Sequence, residues 1–248
     1  MISAIRRVLC ALHVGPPRSM QPATVFSNFA GWTSHIYNPW LSRSRLLRSA
    51  HAAAEAVDTF SHRGDRTEMI RLNSKASSNG ETKVRVFAGP WCRVLTDEVD
   101  RSERSDFWDL VRATPSIEWL LLFDGGTERS VKLPPDWGDG FANCRLGVKL
   151  DGPARASEQL DALRSIPSLH RFGLSAPLLE DLGDLNLHGL DWFIAQLSDE
   201  RLVDSEFVTA LKLQCMAFGI PFWLEEVGRV AGTTQGLDRY SFRDSPAP

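Results

Sequence analysis

Short, nearly unbroken apolar runs recur along the chain at 84–87, 117–123, 144–148, 171–174, 191–195 and 221–224. Their starts are spaced by about 20 to 33 residues, the length of one strand plus one crossover connection. Runs of this kind suit parallel strands covered on both faces. Helical periodicity fills several gaps. Over 102–113, Phe107, Leu110 and Val111 share a face and Pro115 stops the helix. Over 154–166, Ala156, Leu160 and Leu163 do the same before Pro167. Over 204–218 the stripe is Val208, Leu211 and Cys215, with Asp204 or Ser205 available as an N-cap and Gly219 as the stop.

Further forward, an Asn38-Pro39 turn opens an alanine-rich helix over 42–58. Residues 59–82 are polar, interrupted by glycine and serine, and predict a long surface crossover. Residues 124–133 and 178–189 predict only short or irregular helices. The pattern gives one domain over 26–231, a disordered leader over 1–25 and a flexible tail over 232–248; Met20 is an alternative start. About six β/α units predict an α/β fold, a single (β/α) barrel or partial barrel with parallel strands. The alternative, an open doubly wound sheet, lacks its glycine fingerprint, since nothing like G-x-G-x-x-G continues Gly125-Gly126.

Composition narrows the function classes. With 248 residues and 43% hydrophobic content the chain can bury a full core, and a net charge of -3 argues against a general nucleic-acid binder. Cysteines at 10, 92, 144 and 215 include no C-x-x-C pair, which removes the common zinc and redox motifs and fits a reducing cytoplasm. No apolar stretch reaches the roughly 20 residues that a membrane span needs.

Several strings carry a resemblance. They are Gly31-Trp32-Thr33 with Asn38-Pro39-Trp40; Arg112-Ala113-Thr114-Pro115 with Glu118-Trp119-Leu120-Leu121-Leu122; and Leu133-Pro134-Pro135-Asp136-Trp137-Gly138-Asp139-Gly140. Others are Asn143 with Leu146-Gly147-Val148, Pro177-Leu178-Leu179, Gly189-Leu190-Asp191-Trp192, Leu211 with Gln214-Cys215, and Gly219-Ile220-Pro221-Phe222. In this order, over about residues 30 to 228, the chain resembles a phage- and prophage-associated family of uncharacterised proteins (the phage "Gp thirty-seven / Gp sixty-eight" type) related to radical S-adenosylmethionine barrels. The resemblance implies a radical-SAM-like barrel and, in the family, three cysteines after Asn-Pro-Trp that hold an iron–sulfur cluster.

Here those places fall on Arg43, the Ser49-Ala50 pair and Ala52. Neither arginine nor alanine replaces a cluster thiolate. Polar strand-end positions of the family depart as well: Phe123-Asp124-Gly125, Arg93, Ala176, Gln196 to Asp199, and Glu225-Glu226-Val227 stand where it has other residues. The resemblance therefore implies a degenerate member, a non-catalytic barrel acting as a binding or partner protein, with cluster and S-adenosylmethionine lost and no cofactor expected.

Two other classes stay open. One is a small-molecule enzyme at the barrel mouth without iron–sulfur chemistry, using Lys149, Asp151, Glu225 and Asp124, with Glu226 nearby; Lys149 and Asp151, two apart, share a face if the strand extends that far. The other is a nucleic-acid-associated protein using Arg43, Arg45, Arg48, Arg63, Arg66 and Arg71. Among six histidines with no i,i+4 pair, His35 is the one placed for a metal or proton-transfer role. No G-x-S-x-G elbow supports a hydrolase. Trp119, Trp192 and Trp223 are expected in the core, and Trp32, Trp40 and Trp137 over the barrel ends.

Overall fold

The computed structural model describes residues 26–30, 32–39, 64–79, 84–89, 94–95, 100–123, 131–197 and 206–226. The leader 1–25 and the tail 232–248 lie outside the described residues, as does the helix expected over 42–58.

Eight strands form one sheet in sequence order: β1 (Phe26–Ala30), β2 (Thr33–Tyr37), β3 (Val84–Ala88), β4 (Ile117–Phe123), β5 (Cys144–Lys149), β6 (Arg171–Ser175), β7 (Trp192–Leu197) and β8 (Phe222–Glu226). β1 pairs antiparallel with β2, and every later pair is parallel. Four helices are seen among the described residues: α1 (Arg66–Asn79), α2 (Arg101–Ala113), α3 (Pro153–Arg164) and α4 (Glu206–Ala217). The architecture is α/β, a curled half-barrel of seven parallel strands with helices outside, consistent with a partial (β/α) barrel.

Period-two alternation divides a strand such as β4 between two cores. In β4, Ile117, Trp119, Leu121 and Phe123 face the helices, while Glu118, Leu120 and Leu122 face the concave side. The outer core takes Phe107, Trp108, Leu110 and Val111 of α2, Leu160 and Leu163 of α3, and Val208, Leu211 and Cys215 of α4. Trp119 is buried here as expected; its Nε1–H donates to Thr114 Oγ1 at 3.0 Å, and that hydroxyl donates to Leu110 O at 2.8 Å. α4 closes with a Schellman turn, in which Gly219 at φ 68° lets Ile220 N–H reach Cys215 O and its own N–H reach Met216 O.

Two expectations need correction. Residues 66–79 form a 14-residue helix inside the stretch expected as crossover. Its buried stripe is only Met69 and Ala76 with Leu72 beside them, too narrow to show among serines, and Asp65 Oδ1 caps its first turn by accepting from Thr67 N–H at 2.7 Å. The sheet also begins earlier than expected, because polar-looking Thr33-Ser34-His35 continues into β2. Ser34 hydroxyl donates to Arg85 O at 2.7 Å, so the polar positions fasten this strand to its neighbour.

Candidate functional site

In a parallel barrel the C-terminal ends of the strands normally carry the chemistry. At this rim the structure brings together two of the residues expected there. Lys149 ends β5, and its Nζ lies 3.3 Å from Asp151 Oδ1, with both side chains more than two-fifths exposed. Asp151 is also held from below. Gln159 of α3, fully buried, donates from Nε2 to Asp151 Oδ2 and accepts from Asp151 N–H, each at 3.2 Å. This reciprocal clamp fixes the β5–α3 turn, where Gly152 adopts φ 138°, a conformation that residues with a Cβ rarely take.

Glu225 sits on the same concave-facing set as Lys149, but three strands away. The register runs Lys149 to Leu174 to Ile194 to Trp223, which places Glu225 two residues above that level, opposite Gln196. Asp124 lies outside the described residues, and so do Arg43, Arg45, Arg48, Arg63, Ser49, Ala50 and Ala52. Of the remaining front arginines, Arg66 donates to Asp106 O at 2.8 Å and Arg71 is exposed on α1. No phosphate-facing strip is assembled among the described residues.

The concave face below the rim is filled. Trp32, Ile36, Phe87, Leu120, Phe172, Leu174, Trp192 and Ile194 form one buried cluster, with Trp223 packed against it. The Trp32 ring, expected over a barrel end, is a buried member of this cluster, edge-on to Phe87 at 5.0 Å and to Trp192 at 6.4 Å. Gly147 supplies the space for the Phe172 ring, whose Cζ would lie 2.2 Å from any Cβ there.

Beneath that cluster, at the N-terminal ends, lies the constellation that the sequence reading missed. Arg85, Glu118 and Arg145 are each the second residue of consecutive strands, all on the concave face. Glu118 accepts from Arg85 Nε at 2.8 Å and from Arg145 at 3.0 Å; Arg145 also reaches Asp191 Oδ2 at 3.3 Å. Asp191 Oδ2 accepts from Arg171 N–H at 2.8 Å and stands 3.5 Å from His170 Nδ1. Arg85 lies 5.5 Å over the Trp192 ring. The Arg145 side chain is only 5% exposed, and Glu118 13%. Burial alone would raise the Glu118 carboxyl, but Arg145 and Arg85 outweigh it and hold it below the ordinary carboxylate range. Burial likewise lowers the Arg85 guanidinium despite Glu118. The available signal was one charge in each otherwise apolar run, alternating in sign across three neighbouring strands.

Other candidates resolve as packing. His35 faces α1, and burial pulls its imidazole below the usual histidine value, with Glu68 opposing and Lys75 adding to the effect. The Leu133–Gly140 string is a structural corner: Trp137 packs against Trp108 and Phe141, its Nε1–H donates to Pro167 O at 2.7 Å, and Arg112 grips Asp136 through two bonds. Cys144 and Cys215 are free and buried; burial pushes the Cys215 thiol up to about 12 and Cys144 higher still. Among the described residues no three His, Cys, Asp or Glu side chains are grouped to hold a metal ion, and no helix is long and apolar enough to cross a membrane. A cleft of about 220 Å³ opens between α1 and α2, lined by Tyr37, Pro39, Asp65, Arg66, Glu103 and Asp106 among others.

No curated protein and no solved structure matches the chain. A family model described as "Protein of unknown function (DUF5131)" matches residues 31–237, from just before β2 to beyond β8, and the chain belongs to that family.

Proposed function

We propose that this chain is a non-catalytic, radical-SAM-like barrel, a degenerate relative of the phage-associated proteins it resembles, that serves as a binding or partner protein. The observation that carries the reading is where residues 40–63 leave and rejoin the fold. They follow β2, the first parallel strand, at its C-terminal end, and their two ends are pinned together: Gly64 N–H donates to Asn38 O at 2.8 Å, and Gly64 rests on the Tyr37 ring. Arg43, Ser49, Ala50 and Ala52 follow β2 in sequence, at the positions where the resemblance expects cluster thiolates, and none of them supplies one. The described cysteines offer no substitute. Cys144 starts β5 at the opposite end of the sheet, and Cys215 is packed in the outer core. The residues do not fit an iron–sulfur cluster, and no step is routed through one.

Anaerobic reconstitution of the purified chain with iron and sulfide tests this directly. The expected result is a protein without the broad absorption near about 400 nm that marks a bound cluster. A stable, stoichiometric cluster would overturn the reading.

The Lys149–Asp151 contact favours one second reading, a small-molecule enzyme at the same mouth. It requires Lys149→Met to abolish turnover or ligand-induced stabilisation by the molecule concerned; an unchanged thermal shift with that molecule removes it.

A further inference from the structure

Helix α1 is the most lightly held part of the outer layer. Among the described residues it buries only Met69 and Ala76, with Leu72 half-buried, whereas α2 and α3 bury four residues each. Two polar ties add to these contacts: Arg66 donates to Asp106 O, and Asn73 Oδ1 accepts from Ser116 N–H, each at 2.8 Å. Beneath the helix lies His35. Its imidazole shares the outward side of the sheet with Tyr37, two residues on, and with its register partner Val86 of β3, both members of the outer core. His35 Nδ1 is buried and meets no hydrogen-bond partner among the described residues. The charges that act on the ring both come from α1: Glu68 and Lys75, opposite in sign, on either side of Leu72. β1 contains no ionisable residue, and the one charge of β3, Arg85, turns to the concave face. The two α1 charges oppose each other, so burial decides how the ring holds a proton.

We propose that α1 is an acid-released cover over β2 and β3, with protonation of His35 as the trigger. A neutral imidazole can leave Nδ1 as a bare acceptor, whereas the imidazolium carries N–H on both nitrogens. In the closed fold that added N–H and its charge are buried with no acceptor, which is costly. Lifting α1 gives the ring to water, where it takes a proton near the ordinary value of about 6.5. Proton uptake therefore favours the open state. The closed state is at full strength above that value and loses ground as pH falls through it towards the lower value of the buried ring. A helix with so few buried contacts is the kind of unit that opens by itself while the rest of the fold stays shut. Opening undoes the Arg66 bond to α2 and bares Tyr37 and Val86. The proposal is independent of the barrel's reaction or lack of one.

Hydrogen–deuterium exchange of the full chain, read by mass spectrometry at about pH 7.5 and about pH 5 and corrected for intrinsic exchange, tests it. Peptides covering residues 66–79 should lose protection several-fold at the lower pH, while those covering α3 keep theirs. His35→Phe, which cannot titrate, should abolish the difference. Lys75→Met removes a positive charge that opposes protonation and should shrink the difference; Glu68→Gln should enlarge it. These opposite shifts read the same trigger even if His35→Phe does not fold. Equal corrected protection of 66–79 at both pH values overturns the proposal. So does a loss shared equally by α3, which marks global unfolding, and so does a loss that survives His35→Phe or that neither charge variant alters.

Discussion

The two ends of the half-barrel treat charge in opposite ways. At the N-terminal ends, Arg85, Glu118 and Arg145 are bound to one another across β3 to β5, largely out of water, and the more exposed Asp191, just before β7, balances the charge. At the C-terminal ends the pair among the described residues is Lys149 with Asp151, each more than two-fifths exposed, and Asp151 also clamps a turn. Barrels ordinarily invest their demanding polar geometry at the C-terminal end and leave stability to the other. Among the described residues the more demanding polar geometry is at the stability end, where it fastens neighbouring strands to one another.

The sharpest way to break the comparison is to remove one charge from each end. Glu118→Ala removes the carboxylate shared by the buried Arg145 and half-buried Arg85 guanidiniums, and the loss of one partner from a buried network costs about 3–5 kcal/mol. Urea denaturation should show that loss, or no folded protein at all. Glu118→Gln keeps the shape and one acceptor, so it should be milder. A loss under about 1 kcal/mol for Glu118→Ala, the range of surface pairs, would show that the network is ornamental.

Next in size is the contact that lets the concave core close above those charges. Gly147→Ala drives a methyl into the Phe172 ring, and neither strand can step aside without breaking the register of Gly147 with Phe172. Overpacking of this kind costs about 1–3 kcal/mol. Phe172→Leu should recover part of it in the double variant. Additive losses in that double-mutant cycle would mean that the two residues do not meet.

Acid sharpens the comparison without mutation. Glu118 has a folded-state pKa below its unfolded value, so its contribution is fully present above the unfolded value of about 4.3 and fades as pH falls through the lower, folded one. Stability measured from pH 6 downward should therefore drop, and Glu118→Gln should flatten that drop. Parallel acid limbs for wild type and variant would remove Glu118 as the cause.

These effects bear on what could be read beforehand. The six core strands and the helices over 101–113, 153–164 and 206–217 were legible because their apolar periodicity is strong and proline or glycine ends each one. α1 was not legible: three weak apolar contacts among serines give almost no periodic signal, and burial of Met69 decides the matter. β2 was hidden because its hydroxyls pair with the Arg85 carbonyl instead of with water. At the rim, Lys149 and Asp151 were found from their spacing of two, although β5 ends at Lys149 and the turn clamped by Gln159 is what holds Asp151 beside it. The side-chain pairs of the network at the other end are 27 to 46 positions apart in sequence, and only strand register makes them neighbours.

The smallest expected effect is the one that separates scaffold from site at the rim. The Lys149–Asp151 pair is more than two-fifths exposed, so water screens it and Lys149→Met should change stability by no more than about 1 kcal/mol. Asp151→Asn should behave differently, since an amide at that position still accepts from Gln159 Nε2 but now presents its own N–H groups to the same crowded turn. If Asp151 serves the turn, Asp151→Ala leaves the buried Gln159 amide short of a partner and loses about 1–3 kcal/mol, more than Lys149→Met, and Gln159→Leu in the same chain should recover much of it. If Asp151 instead serves a bound molecule, both single variants should be nearly neutral in denaturant and the cycle with Gln159 should show no coupling. The buried amide with its two bonds to one carboxylate residue predicts the first outcome, because unmet hydrogen bonding inside the fold costs more than an ion pair lost to solvent.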